Sequence, residues 1–203
     1  EMVCRRFSVP IDYASGHRGG SLNLTVLRTK KVGSGQMWML EGGPGNPSHS
    51  LLDFIHIDGL TGYTMDHRGT GLSTLLDCPR KRSNLSGNLP WGNAWIRWVG
   101  LGNVSADFIS ECLAEVSEEI AAPKHFTAAN AARDLAAVIM ALQKENGVGS
   151  VGIHGLSYGT LWARRFLALQ GVDFPVLATR IGLDGVCSAD YEFGQYSLAS
   201  EIA

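Results

Sequence analysis

Gly155-Leu156-Ser157-Tyr158-Gly159 constrains this chain more than any other stretch. It follows the apolar run Val151-Gly152-Ile153 and precedes a helix-like segment, Leu161 to Leu169, so it predicts a sharp strand-to-helix turn with a serine at its tip. Such a turn needs residues without side chains two positions either side of the serine, and Gly155 and Gly159 occupy those positions. A helix opening directly after Ser157 aims free backbone N–H groups at the reacting atom, which makes the Tyr158 N–H a candidate oxyanion donor. The five-residue pattern also arises in ordinary structural turns. The strand before it and the helix after it favour the nucleophile.

A second signal stands where the first requires one. Met37-Trp38-Met39-Leu40 reads as a short buried strand, and it runs into Glu41-Gly42-Gly43-Pro44-Gly45, a loop whose bare backbone can approach a ligand closely. The Gly43 N–H is the candidate second oxyanion donor, with Gly42 as the alternative, against the plain reading of a tight Gly/Pro turn.

The 203 residues suggest one domain, long enough to bury roughly 70% of the surface exposed when unfolded. A charged fraction of 18% and a formal net charge of −2 argue against nucleic acid or an anionic membrane as partner. No run approaches the length of a membrane span, and the start at Glu1 shows no leader pattern, so a leader is expected to be absent or removed. Three sequons, Asn23-Leu24-Thr25, Asn84-Leu85-Ser86 and Asn103-Val104-Ser105, point to a secreted glycoprotein. Cys4, Cys78, Cys112 and Cys187 lack Cys-x-x-Cys spacing, so disulfides are expected rather than a metal, with Cys78 to Cys112 favoured because both flank one irregular insertion. No metal or other cofactor is expected.

Along the chain, Phe7 to Pro10 and Leu22 to Leu27 predict an opening antiparallel hairpin. The Met37 strand, a helix over about 48–56 and a strand over Leu60 to Met65 follow, the last ending in Asp66-His67-Arg68-Gly69-Thr70-Gly71. An irregular insertion, about 75–122, contains Trp91, Trp95 and Trp98, rings that either pack on a core or line a cleft, the former being the commoner use. A helix capped by Thr127 follows, with Ala128, Ala131, Ala132, Leu135, Val138, Ile139 and Leu142 on one stripe, and Gly147 and Gly149 end it. A last strand is predicted over Val176 to Leu183. Repeated strand–helix–strand units predict an α/β chain with a mostly parallel sheet and helices on both faces, its ligand lying at the carboxyl ends of the strands.

Gly42-Gly43-Pro44-Gly45, Asp66-His67-Arg68-Gly69-Thr70-Gly71-Leu72-Ser73 and Gly155-Leu156-Ser157-Tyr158-Gly159-Thr160, in that order, resemble the α/β-hydrolase serine peptidases of the proline iminopeptidase and tripeptidyl aminopeptidase family. The opening Val9-Pro10-Ile11-Asp12-Tyr13, the helix start Thr127 to Leu135 and the strand end Leu183-Asp184-Gly185-Val186 are similar to it too. Ser-Tyr-Gly at the elbow is more like the secreted tripeptidyl aminopeptidase branch than the Ser-Trp-Gly of typical proline iminopeptidases. The resemblance implies an α/β-hydrolase fold and removal of residues from peptide N-termini through Ser157, with Gly43 and Tyr158 forming the oxyanion hole.

Two departures qualify it. Glu41 stands where many members carry histidine. The family places the triad acid and histidine after the elbow, behind a helical cap and two more strands, and no histidine follows Ser157 in this sequence. The expectation is therefore a C-terminally truncated α/β-hydrolase domain over 1–203, inactive or weakly active alone, because a serine hydroxyl needs a positioned base. His154 reads as scaffold beneath the elbow, His67 belongs to a loop whose Asp66 and Arg68 read as structural, and Asp184 reads as scaffold in preference to triad acid. The alternatives kept open are an esterase or lipase acting on small esters, since the fold does not select amide over ester, and a non-catalytic product. Oligomeric state stays open.

Overall fold

In a computed structural model of the chain, the described residues are 2–43, 45–48, 51, 59–76, 110, 114, 123–147 and 149–187. The predicted 48–56 helix and the insertion with its three tryptophans lie almost wholly outside them, as do Cys78 and Cys112.

Six strands form one sheet: β1 (Met2–Pro10), β2 (Ser21–Thr29), β3 (Gly35–Leu40), β4 (Leu60–Asp66), β5 (Val151–Leu156) and β6 (Arg180–Asp184), in the spatial order β1-β2-β4-β3-β5-β6. β1 and β2 make the expected hairpin, antiparallel from Met2 opposite Thr29 to Pro10 opposite Ser21. It is longer than its apolar runs because the ladder continues through exposed positions. β2 meets β4 antiparallel, and β3 pairs parallel with β4 on one side and with β5 on the other. Chain connections therefore leave β3 in one direction and β5 in the other, and the crevice between them opens at their carboxyl ends.

Two helices are described, α1 (Ala128–Asn146) and α2 (Tyr158–Leu169). The Thr127 side chain accepts from the Asn130 N–H at 3.1 Å, and Gly147 ends α1 at φ +86°, which only glycine adopts freely. Period-2 alternation puts Leu22, Leu24, Val26, Trp38, Leu40, Val151 and Ile153 on the face these helices cover, where they meet Leu135, Ile139, Trp162 and Phe166. Trp38 stacks on its cross-strand partner Tyr63 with ring centroids 4.9 Å apart. Leu27, Met37 and Met39 cluster on the other face.

The last strand departs from expectation. Pairing starts at Arg180, not Val176, because the Gln170 side chain takes both main-chain groups of Ala178: Nε2 donates to its carbonyl and Oε1 accepts from its N–H, each at 3.3 Å. Ladder contact begins only at Thr179, whose N–H donates to the Val151 carbonyl. Cys4 and Cys187 are free thiols, so no disulfide forms among the described residues, and the favoured Cys78 to Cys112 pair lies outside them. No helix among the described residues is long and apolar enough to cross a membrane.

Candidate active site

The turn after β5 places Ser157 at the carboxyl end of the strand, with φ +50° and ψ −114°, and Ser157 is the one non-glycine residue at positive φ among the described residues. A side chain held there costs on the order of 1–3 kcal/mol, so the surroundings must impose it. They do so from three sides. A Cβ on Gly155 would overlap the Gly159 carbonyl, and a Cβ on Gly159 would overlap the Leu40 carbonyl, so both glycines are required for strand and helix to close at this corner. The Ser157 N–H donates to the Asp184 carbonyl of β6 at 2.8 Å. The Ser157 carbonyl accepts from the Thr160 N–H at 2.9 Å and from the Thr160 hydroxyl at 2.6 Å. Ser157 itself is exposed.

The loop after β3 lies against this corner. A Cβ on Gly42 would stand 3.0 Å from both the Leu156 carbonyl oxygen and the Ser157 Cβ, so the absence of a side chain lets the loop backbone reach the serine. The Gly42 N–H, the alternative donor, is hydrogen-bonded to the Glu41 carboxylate at 2.7 Å. Gly43 turns at φ +59°, its carbonyl accepting from the Asn46 N–H at 2.9 Å. Of the candidate donors, the Tyr158 N–H opens α2 and the Gly43 N–H follows the Glu41-held turn. Burial pushes the Tyr158 phenol up to about 12, so it stays protonated at neutral pH.

Among the described residues no histidine is hydrogen-bonded to Ser157. His154 points away from α1 and α2, onto the face where Gly182 leaves room for it: a Cβ there would sit 2.7 Å from its Nδ1. His67 comes nearer than the sequence suggests, its ring 5.7 Å from that of Tyr158 and edge-on to Trp162 at 5.4 Å. Its Nδ1 lies 2.9 Å from the Arg68 carbonyl, which can only accept, so the proton is assigned to Nδ1. Burial holds the His67 pKa below its ordinary value, and the ring is neutral. His17 is occupied by the Ser21 hydroxyl at 2.8 Å in the first hairpin. Asp184 ends β6 opposite Leu156 and supports the elbow through its carbonyl.

The loop 66–73 resolves into a structural hub. Arg68 is 2% exposed and all five of its donors are used: Nε and Nη2 grip Asp134 at 2.8 and 2.6 Å, and the rest reach the carbonyls of Pro10, Ile11 and His125. The Tyr13 hydroxyl donates to the same carboxylate at 2.8 Å. Burial pushes the Asp134 carboxyl up, against the pull of Arg68, whose guanidinium cannot give up its proton. Asp66 accepts from the Ser48 and Leu72 N–H groups at 2.7 and 2.8 Å, and a Cβ on Gly71 would overlap its carboxylate. Both carboxylates hold the scaffold, Asp66 in line with its sequence reading. Among the described residues no three His, Cys, Asp or Glu side chains gather as metal ligands.

No family model and no curated protein matches the sequence. Solved structures do. A highly thermostable carboxyl esterase from Bacillus coagulans aligns over 96% of this chain and 48% of its own, with 15% identity and a TM-score of 0.53. Epoxide hydrolase I of potato (Solanum tuberosum) aligns over 99% and 47%, at 11% identity and a TM-score of 0.52. The chain has the α/β-hydrolase fold. Epoxide hydrolase VrEH1 from Vigna radiata extends the set, over 97% and 45% at 14% identity and a TM-score of 0.50. The chain thus spans about half the length of these α/β-hydrolases, and Ser157 occupies the turn between the fifth strand and the following helix.

The sequence reading identified the serine and its glycines but missed three contacts at the site: Glu41 on Gly42, Thr160 on the Ser157 carbonyl, and His67 beside Tyr158. Only Thr160 carried a local signal, a hydroxyl three residues after the turn serine where a helix begins. A cavity of about 150 Å³ bordered by Arg28, Gln36, Tyr63 and Asn146 lies at the amino ends of β3 and β5, at the far end of the sheet from Ser157.

Proposed function

We propose that this chain carries the nucleophile and oxyanion hole of a serine hydrolase, an exopeptidase that releases residues from peptide N-termini. Ser157 Oγ attacks the scissile carbonyl while a base takes its proton, and the carbonyl oxygen becomes an oxyanion held by the Gly43 and Tyr158 N–H groups. Collapse expels the amine, which receives that proton, and leaves an acyl-serine that water hydrolyses. One observation carries the reading: Ser157 is exposed at the single positive-φ non-glycine position among the described residues. The base comes from elsewhere than the four described histidines. The order of the three glycine-bearing motifs supports the peptidase specificity, and the three sequons support a secretory route, Asn23 being exposed on β2.

The Bacillus coagulans neighbour, named as a carboxyl esterase, supports a second reading in which the same serine cleaves small esters. Turnover by the full-length protein on aminoacyl amides beside short acyl esters separates them. A peptidase prefers the amides with a free α-amine, an esterase leaves them uncut, and activity that persists in Ser157→Ala defeats both.

A further inference from the structure

We infer that Thr160 is a positioning residue for catalysis: its hydroxyl sets the direction of the Tyr158 N–H by holding the peptide plane to which that N–H belongs. The inference rests on Ser157 being the nucleophile. The Ser157 carbonyl and the Tyr158 N–H are the two polar ends of one planar trans peptide, so a group that fixes the carbonyl fixes the amide pointing the opposite way. Thr160 Oγ1 donates to that carbonyl at 2.6 Å, shorter than the 2.9 Å bond from its own N–H.

The hydroxyl proton cannot turn elsewhere. Thr160 is fully buried, at 0% exposure, and its oxygen accepts from the Cys187 N–H at 3.0 Å. With one lone pair so occupied, the proton is directed at Ser157. Cys187 is held in turn, its carbonyl accepting from Arg164 Nη1 of the same helix at 3.0 Å. The segment after β6 is therefore tied to the oxyanion donor through a single hydroxyl, while the carbonyl of Asp184, the last residue of β6, holds the Ser157 N–H at 2.8 Å. Both peptide planes flanking Ser157 are fixed from β6 and α2. An oxyanion donor contributes to rate only when aimed before the charge develops, and removing one costs about 10²–10³ in kcat. A plane left free to rock forfeits part of that.

The test compares Thr160→Val, which keeps shape and removes the hydroxyl, with Thr160→Ser, which restores it, in the full-length protein with p-nitrophenyl acetate and its thionoester. Thr160→Val is expected to lower kcat about tenfold to a hundredfold with KM within about twofold, and to lower the preference for ester over thionoester, because hydrogen bonds to the oxyanion favour oxygen. Thr160→Ser should return kcat to within about threefold of wild type. Should Thr160→Val fold poorly, Thr160→Ser decides: a loss of kcat and of ester preference there overturns the proposal, since the hydroxyl is present. Unchanged kcat in Thr160→Val, with Ser157→Ala inactive, also overturns it and leaves the nucleophile standing. Wild-type activity that survives in Ser157→Ala overturns the nucleophile first.

Discussion

The loop 66–73 and the elbow 155–160 are both glycine-rich turns at the carboxyl ends of the two strands that flank β3, and they use their polar groups in opposite ways. In the first, Arg68 has all five donors matched, Asp66 is ringed by N–H groups, and the charged pair with Asp134 is sealed from water. In the second, a serine sits exposed in a backbone conformation that L-residues avoid, and among the described residues every nearby bond secures the backbone while none engages the hydroxyl. Both look like motifs in sequence. What separates the two is satisfaction: among the described residues one turn has its polar side chains saturated and its strain low, the other is strained with its serine hydroxyl unengaged.

That contrast can be broken by substitution. Asp134→Ala strands a buried guanidinium and should destabilise the fold by about 3–5 kcal/mol, measured by chemical denaturation of the folded protein. A loss under about 1 kcal/mol would show that the hub is not saturated as described. Next in size, Gly159→Ala drives a methyl group into the Leu40 carbonyl and should cost about 2–3 kcal/mol, with the elbow serine displaced as well. Ser157→Gly has the reverse sign: relief of the positive φ should stabilise the fold by about 1 kcal/mol while abolishing reaction at this position. A destabilising Ser157→Gly would mean that the turn stores no strain.

The smallest effect is one of pH. His67 belongs to the first loop and packs its ring against Tyr158 of the second, neutral because burial lowers its pKa below the ordinary 6.5. The unfolded chain therefore binds a proton that the folded one refuses. Stability is complete above the unfolded value and falls as the pH drops below about 6.5. The difference in denaturation midpoint between wild type and His67→Gln should stay constant above about 6.5 and shift against the wild type below it.

Legibility from sequence followed the range of the forces involved. The elbow and both ends of α1 could be read because their causes are local: glycines flanking Ser157, Thr127 capping its own helix, Gly147 ending it. The hub was half legible. Arg68 reads as structural, but its partner Asp134 lies 66 residues away, and nothing in the spacing joins them. The onset of β6 was misjudged because the side chain that withholds Ala178 from the ladder belongs to Gln170, outside any strand pattern. Glu41 stands out in the sequence, while its bond to the neighbouring Gly42 amide depends on a backbone turn that sequence does not show.

The most direct measurement is reaction of the full-length protein with a fluorophosphonate, followed by peptide mapping of the adduct. The account predicts a single phosphonylated residue, Ser157, with no adduct in Ser157→Ala. Quantitative labelling at another serine, or none at Ser157 while the protein turns over its substrate, would contradict it.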